Sequence, residues 1–161
     1  MDKINKALYY ARKQVEHASA YVWGGQGEKL AKLTVLKLAA METSAENAAR
    51  VEKYIFSHMG LFDTKTKIFD CSGLACKALI YAGVLPKGAD YTAQGLYDKF
   101  PHVSISAIKP GDLIFKGEAG RITHIGIVKD PATVYEAKGR DYGCIESMID
   151  AAWKYAARPE Y

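Results

Sequence analysis

A chain of 161 residues fits one domain, residues 1–161, with a core that needs neither metal nor disulfide to stand. Apolar residues make up 49% and charged residues 25%, which excludes disordered and fibrous classes, and no apolar run approaches the roughly 18 residues of a membrane span. The net charge of +4 arises wholly in residues 1–69, with 11 Lys/Arg against 7 Asp/Glu, because residues 70–161 carry 11 of each.

Residues 2–18 place Ile4, Ala7, Leu8, Ala11, Val15 and Ala18 at helical spacing behind Asp2, a natural N-cap. Gly24-Gly25-Gln26-Gly27 then breaks the pattern. It lacks the third glycine of a dinucleotide fingerprint and follows no strand, so it does not read as a nucleotide site. Residues 28–68 read as a helical insertion, in which Thr43 and Glu46 form a capping-box pattern ahead of Ala48, Val51 and Ile55, and Met59-Gly60 closes the helix. A further helix is expected from Cys71 to Ala82, stopped by Gly83, and a shorter one from Thr92 to Phe100.

Beyond Pro101 the pattern changes. Short runs at Val103–Ile105, Asp112–Phe115, His124–Val128 and Val134–Ala137, bounded by Pro, Gly and Asp, predict an antiparallel sheet. Helices first and strands afterwards indicate an α+β fold.

Cys71 opens its helix, where free N–H groups and the helix dipole favour a thiolate, and small Ser72 and Gly73 leave the sulfur open. Its own amide is a natural oxyanion donor. Cys71 alone reads equally well as a small buried residue. His124 shares a strand face with Gly126 and Val128, so clear space is expected above its ring. A turn at Lys129-Asp130-Pro131 would set Gly126 opposite Val134 and His124 opposite Glu136. Glu136 would then orient the imidazole as the third member of a triad, unless the register slips by one residue.

These residues carry a resemblance. Tyr21-Val22-Trp23-Gly24-Gly25, Phe69-Asp70-Cys71-Ser72-Gly73-Leu74, Pro110-Gly111-Asp112-Leu113-Ile114-Phe115 and His124-Ile125-Gly126-Ile127 occur in the order seen in the NlpC family of papain-like cysteine peptidases. The tail Tyr135–Gly143, with Trp153 and Arg158-Pro159, resembles endolysin domains from phages of Gram-positive bacteria. The resemblance implies a papain-like fold with N-terminal helices on a C-terminal antiparallel sheet, and a bacteriolytic hydrolase of peptidoglycan with no cofactor. It implies Cys71, His124 and Glu136 as catalytic residues, Tyr21 near the oxyanion site, and Asp70 and Ser72 against the stem peptide. The bond between D-glutamate and the third stem residue is commonest in the family. An amidase cutting before L-alanine, an acyltransferase and a catalytically dead wall-binding module are the alternatives. The family most often has histidine where this chain has Glu136, and 49 residues separate Tyr21 from Cys71, more than is usual there.

Three cysteines are too few for a disulfide framework, and Cys76 and Cys144 read as core. A zinc site from Cys71, Cys76, Cys144 and His124 has no Cys-x-x-Cys spacing behind it, so no metal is expected. His17, His58 and His102 lack partner patterns. Without zinc-finger spacing or an aromatic RNA-binding signature, nucleic acid is not an expected partner, and a monomer without membrane insertion is. The N-terminus has no apolar h-region, so the expected route is synthesis in the cytoplasm and action on the wall after release, or outside the cell if the chain has been trimmed. The insertion holds seven Lys/Arg against five Asp/Glu. It reads either as a flap that holds the anionic wall through Lys29, Lys32 and Lys37, or as a structural element completing the core.

Overall fold

A computed structural model describes residues 1–161. Helix α1 spans Lys3–Glu16 and starts as its sequence predicts, the Asp2 carboxylate accepting the Asn5 N–H at 2.8 Å. Ala7 and Ala11 are fully buried, and their small side chains let α1 lie close on its neighbours.

Residues 20–69 hold strands the sequence did not reveal. Strand β1 (Ala20–Tyr21), β2 (Gln26–Lys29) and β3 (Lys67–Phe69) form a small sheet of order β1-β3-β2, with β1 parallel and β2 antiparallel to β3. The ends of the insertion are therefore strands, and only its middle is helical, as α2 (Val35–Met41) and α3 (Ala45–His58). Two to four residues are too short for a period-2 signal. The α3 cap also differs by one residue: Ser44 accepts the Asn47 N–H at 3.1 Å, while Thr43 Oγ1 accepts the Asn47 side-chain amide at 2.9 Å. Ala20, Val22, Leu38, Val51, Tyr54 and Ile68 give this part its own core.

Strand β3 runs directly into α4 (Cys71–Tyr81), whose cap Asp70 accepts the Gly73 N–H at 2.6 Å. A Cβ at Gly73 would strike the Gly25 carbonyl oxygen, so only glycine allows the helix start to lie this close to the Gly25 loop. Helix α5 spans Ala93–Lys99, with Thr92 accepting the Gly95 N–H at 3.0 Å.

The C-terminal half forms a wholly antiparallel sheet of order β4-β9-β5-β6-β7-β8. Its strands are β4 (His102–Val103), β5 (Leu113–Glu118), β6 (Arg121–Asp130), β7 (Thr133–Gly139), β8 (Gly143–Met148) and β9 (Tyr155–Ala157). The first predicted strand is shorter than expected, since residues 105–107 make a turn of 3-10 helix. One face buries Leu113, Phe115, Ile125, Ile127 and Tyr135 against Ala7, Ala11, Ala75, Leu79 and Leu96 of the helices. The other packs Ile114, Val128 and Val134 under Trp153.

Register departs from the expected pairing. Val128 lies opposite Val134 and Ile127 opposite Tyr135, with an irregularity before Asp130, which moves the pairing by two residues. An even shift keeps each side chain on its face. His124 and Glu136 are thus diagonal neighbours on one face rather than directly opposed, and both side chains are long enough to meet.

Candidate active site

Cys71 and His124 line one cleft of about 280 Å³ between the start of α4 and the start of β6. Tyr21, Trp23, Asp70 and Ser72 form one wall, and Thr92, Gln94, Ile122 and Thr123 the other. All the residues that the resemblance implicates face this cleft except Glu136, which lies behind His124.

The His124 Nε2 and Glu136 Oε2 atoms are 2.6 Å apart, with side chains 15% and 1% exposed. Burial pushes the Glu136 carboxyl up. The His124 N–H, the Ser147 hydroxyl and the charges of His124 and Lys116 outweigh that and hold it below its usual value. Ser147 Oγ on β8 is buried close by and makes no hydrogen bond of standard geometry. A carboxylate only accepts, so Nε2 carries the ring proton and Nδ1 keeps its lone pair for chemistry.

Two features of β6 aim the imidazole. Pairing with β5 slips between Lys116/His124 and Gly117/Ile122, so Thr123 is the extra residue of a bulge just before the histidine. The space expected above His124 is filled. A Cβ at Gly126 would collide with Val134 and Trp153, so the glycine admits the Trp153 indole, whose ring centre stands 5.5 Å from that of His124. The histidine is buttressed on that side rather than open.

Cys71 also departs from expectation. Burial, and then the neighbouring Asp70 carboxylate, push its thiol up to about 11, against the N–H groups of Ser72, Ile125 and Cys71 itself. The helix start lowers the cost of a thiolate without overcoming desolvation. Desolvation in the cleft therefore favours the thiol of Cys71 over its thiolate. The Ile125 N–H, one residue past His124, lies near this sulfur.

Asp70 and Ser72 are engaged structurally as well as lining the cleft. Asp70 Oδ1 accepts from Gly73 N and from Ser72 Oγ at 3.3 Å. Burial pushes the Asp70 carboxyl up. Tyr21 is buried, and burial with the nearby Cys71 pushes its phenol up, which keeps the hydroxyl a neutral donor.

Sequence reasoning missed the supports of the cleft. Glu42 stands at the end of α2 with its side chain fully buried; its Oε1 accepts the Trp23 N–H at 2.9 Å and its Oε2 pairs with Arg140 Nη2 at 2.7 Å. The Arg140 guanidinium lies over the Tyr21 ring at 5.4 Å. Gln94 Oε1 accepts the Ile122 N–H at 2.8 Å, tying α5 to the edge of β6. Glu42 and Arg140 stand 98 residues apart, and no spacing rule joins them. Cys76 and Cys144 are free and buried in separate parts of the core. No group of three or more His, Cys, Asp or Glu residues is arranged to hold a metal ion.

Residues 18–158 match the NlpC/P60 family. No curated protein matches by sequence. Among solved structures, the peptidoglycan hydrolase RipB from Mycobacterium tuberculosis superposes with a TM-score of 0.65 at 22% identity, over 99% of this chain and 66% of that one. The NlpC/p60 domain of the peptidoglycan hydrolase SagA gives 0.57 at 20% identity, over 96% and 97%. RipD from Mycobacterium tuberculosis, described as a non-catalytic NlpC/p60 domain protein adapted to peptidoglycan binding, gives 0.62 at 19%, over 98% of each chain. The chain thus spans just under two thirds of RipB and nearly the whole of the other two.

Proposed function

This chain belongs to the NlpC/P60 family, and from that premise we propose that it is a thiol hydrolase cutting an amide bond in the peptidoglycan stem peptide, between D-glutamate and the third residue. The observation that carries the reading is the cleft shared by Cys71 and a histidine whose far nitrogen is clamped by a buried carboxylate. A wall-binding module of the RipD kind has no need of that arrangement, and its presence favours catalysis.

In this mechanism His124 Nδ1 takes the Cys71 proton as the sulfur attacks the scissile carbonyl carbon. The carbonyl oxygen becomes an oxyanion facing the Cys71 N–H, with the Tyr21 hydroxyl beside it. Collapse breaks the C–N bond, and the imidazolium protonates the departing amine. Water, deprotonated by His124, then cleaves the thioester, releasing a carboxylate and restoring the thiol. Glu136 stays ionised throughout and stabilises the imidazolium. The endolysin-like role rests on the sequence resemblance of the tail alone.

Digestion of purified muropeptides followed by mass spectrometry is the test. The expected products are a fragment ending in D-glutamate and one beginning with the third residue. Free L-alanine termini would indicate the amidase, a transferred acyl group the acyltransferase, and unchanged substrate the binding module. Cys71→Ser should abolish product while leaving the circular dichroism spectrum intact; retained cleavage would overturn the thiol mechanism.

A further inference from the structure

A second cavity, of about 390 Å³, lies away from the cleft, bounded by the C-terminal half of α1, the end of β2, the loop entering β3 and the end of α4. Lys13, Lys29, Lys65 and Lys67 line it, and no arginine does. Two lining side chains already have acidic partners: Lys13 pairs with Glu16 at 2.5 Å, and His17 lies 2.8 Å from Asp63. Lys29, Lys65 and Lys67 form no ion pair. Lys67 is half-buried, and its Nζ reaches only the Tyr10 hydroxyl at 3.3 Å, over the same ring at 5.1 Å. Burial, with Lys29 and Lys77 near it, pushes its ammonium pKa down, the mark of a cation lacking its counterion.

The other lining feature is aromatic. Tyr81 is 51% exposed, stacks on Tyr9 at 6.3 Å and tilts against Tyr10 at 5.4 Å. Three unmatched ammonium groups beside an open aromatic shelf suit a ligand carrying both negative charge and a flat C–H face. Ammonium groups bind phosphate as point charges, whereas planar carboxylate recognition favours the arginine fork that this cavity lacks. A pyranose ring supplies the C–H face.

We infer that this cavity, formed by Lys29, Lys65, Lys67 and the Tyr9–Tyr10–Tyr81 shelf, is a second binding site for a phosphate-bearing glycan. Tyr81 ends the helix that Cys71 begins, so the two sites lie about 15 Å apart along α4 by helical rise. A single wall strand can reach both; that consequence alone rests on the hydrolase reading. The basic contact expected of the insertion then falls in this cavity. Lys29 belongs to it, but its companions are Lys65 and Lys67 at the far end of the insertion rather than Lys32 and Lys37.

The test is binding without turnover. The full isotope-labelled chain is titrated with phosphorylated dextran, plain dextran and inorganic phosphate, followed by amide and tyrosine ring shifts. Phosphorylated dextran should move the signals of Lys29, Lys65, Lys67 and Tyr81. The triple Lys29→Gln/Lys65→Gln/Lys67→Gln variant should bind about tenfold more weakly and with a flatter salt dependence. Plain dextran and inorganic phosphate should each bind at least about tenfold more weakly than the conjugate, having half of the contacts. If Lys67→Gln disturbs the fold, the exposed pair Lys29→Gln/Lys65→Gln serves, with a proportionate loss. Unchanged affinity in these variants, shifts located elsewhere, or inorganic phosphate binding as tightly as the conjugate would each overturn the site. Cleavage of a small soluble muropeptide should not change in these variants, so a failed hydrolase assay leaves this result interpretable.

Discussion

The carboxylate of Glu136 and the imidazole of His124 meet at 2.6 Å although their Cα positions are not paired across the strands. The contact depends on both side chains sharing a face, and a two-residue difference in register preserves that, where a one-residue slip would have abolished it. Bond and burial together fix the tautomer, leaving Nδ1 with its lone pair.

Removing either partner should therefore have unequal effects. His124→Ala deletes the base and acid and should lower kcat/KM by about 10³-fold or more. Glu136→Gln keeps an acceptor for the ring N–H but loses the charge that stabilises the imidazolium, and should cost about 10- to 100-fold. Equal losses, measured on one muropeptide, would refute this division of roles.

Glu136 should also make the fold acid-sensitive. Its folded carboxyl is held below the ordinary value of 4.5. It thus adds stability that is present above that value and lost as pH falls through the lower, folded one, where the native state must take up the proton. Between about pH 5 and pH 3, the denaturant midpoint of Glu136→Gln should fall less than that of the parent. Parallel declines would place the acid sensitivity elsewhere.

The raised thiol of Cys71 gives a kinetic signature. With its pKa near 11, the free protein should react with iodoacetamide at a rate rising about tenfold per pH unit from pH 7 to 10, because the thiolate fraction does. A thiolate–imidazolium pair formed before substrate binds would instead give a plateau beginning near pH 5. Trapping with the alkylating agent, followed by peptide mass spectrometry, reads the rate at Cys71 apart from the buried Cys76 and Cys144.

Much of this site was legible in the sequence because Cys71 and His124 sit on elements with strong local signals. Asp70 before Cys71 marks a helix start, and His124-Ile125-Gly126-Ile127-Val128 reads as a short strand, which the structure buries on both faces. What escaped notice was set by packing between distant segments. The filled space over His124 depends on Trp153, 29 residues on, which Gly126 accommodates. The free N–H groups and dipole of a helix start favour a thiolate at Cys71, while desolvation in the folded cleft is the larger effect. Strands β1, β2, β3 and β9 are two to four residues long and are held by their neighbours rather than by their own pattern.

The insertion proves to be tied to the cleft by one buried acid, and this yields the last prediction. Glu42 holds the Trp23 backbone with one oxygen and Arg140 with the other, and Arg140 in turn covers Tyr21. Glu42→Gln retains the size and the contact to Trp23 N–H, but leaves a largely buried guanidinium without its counter-charge. Loss of one partner of such a pair costs about 3 kcal/mol. Stability should fall by that order, and the Trp23–Tyr21 wall should loosen, raising KM about tenfold with a smaller change in kcat. Because Trp23 is 53% exposed and Trp153 only 3%, loosening should appear as a red shift in tryptophan emission. Adding Arg140→Met removes the stranded charge and should recover much of the stability while KM stays high, since Tyr21 remains uncovered by its cation. If Glu42→Gln lowers stability but leaves KM and emission unchanged, the insertion completes the core without shaping the cleft.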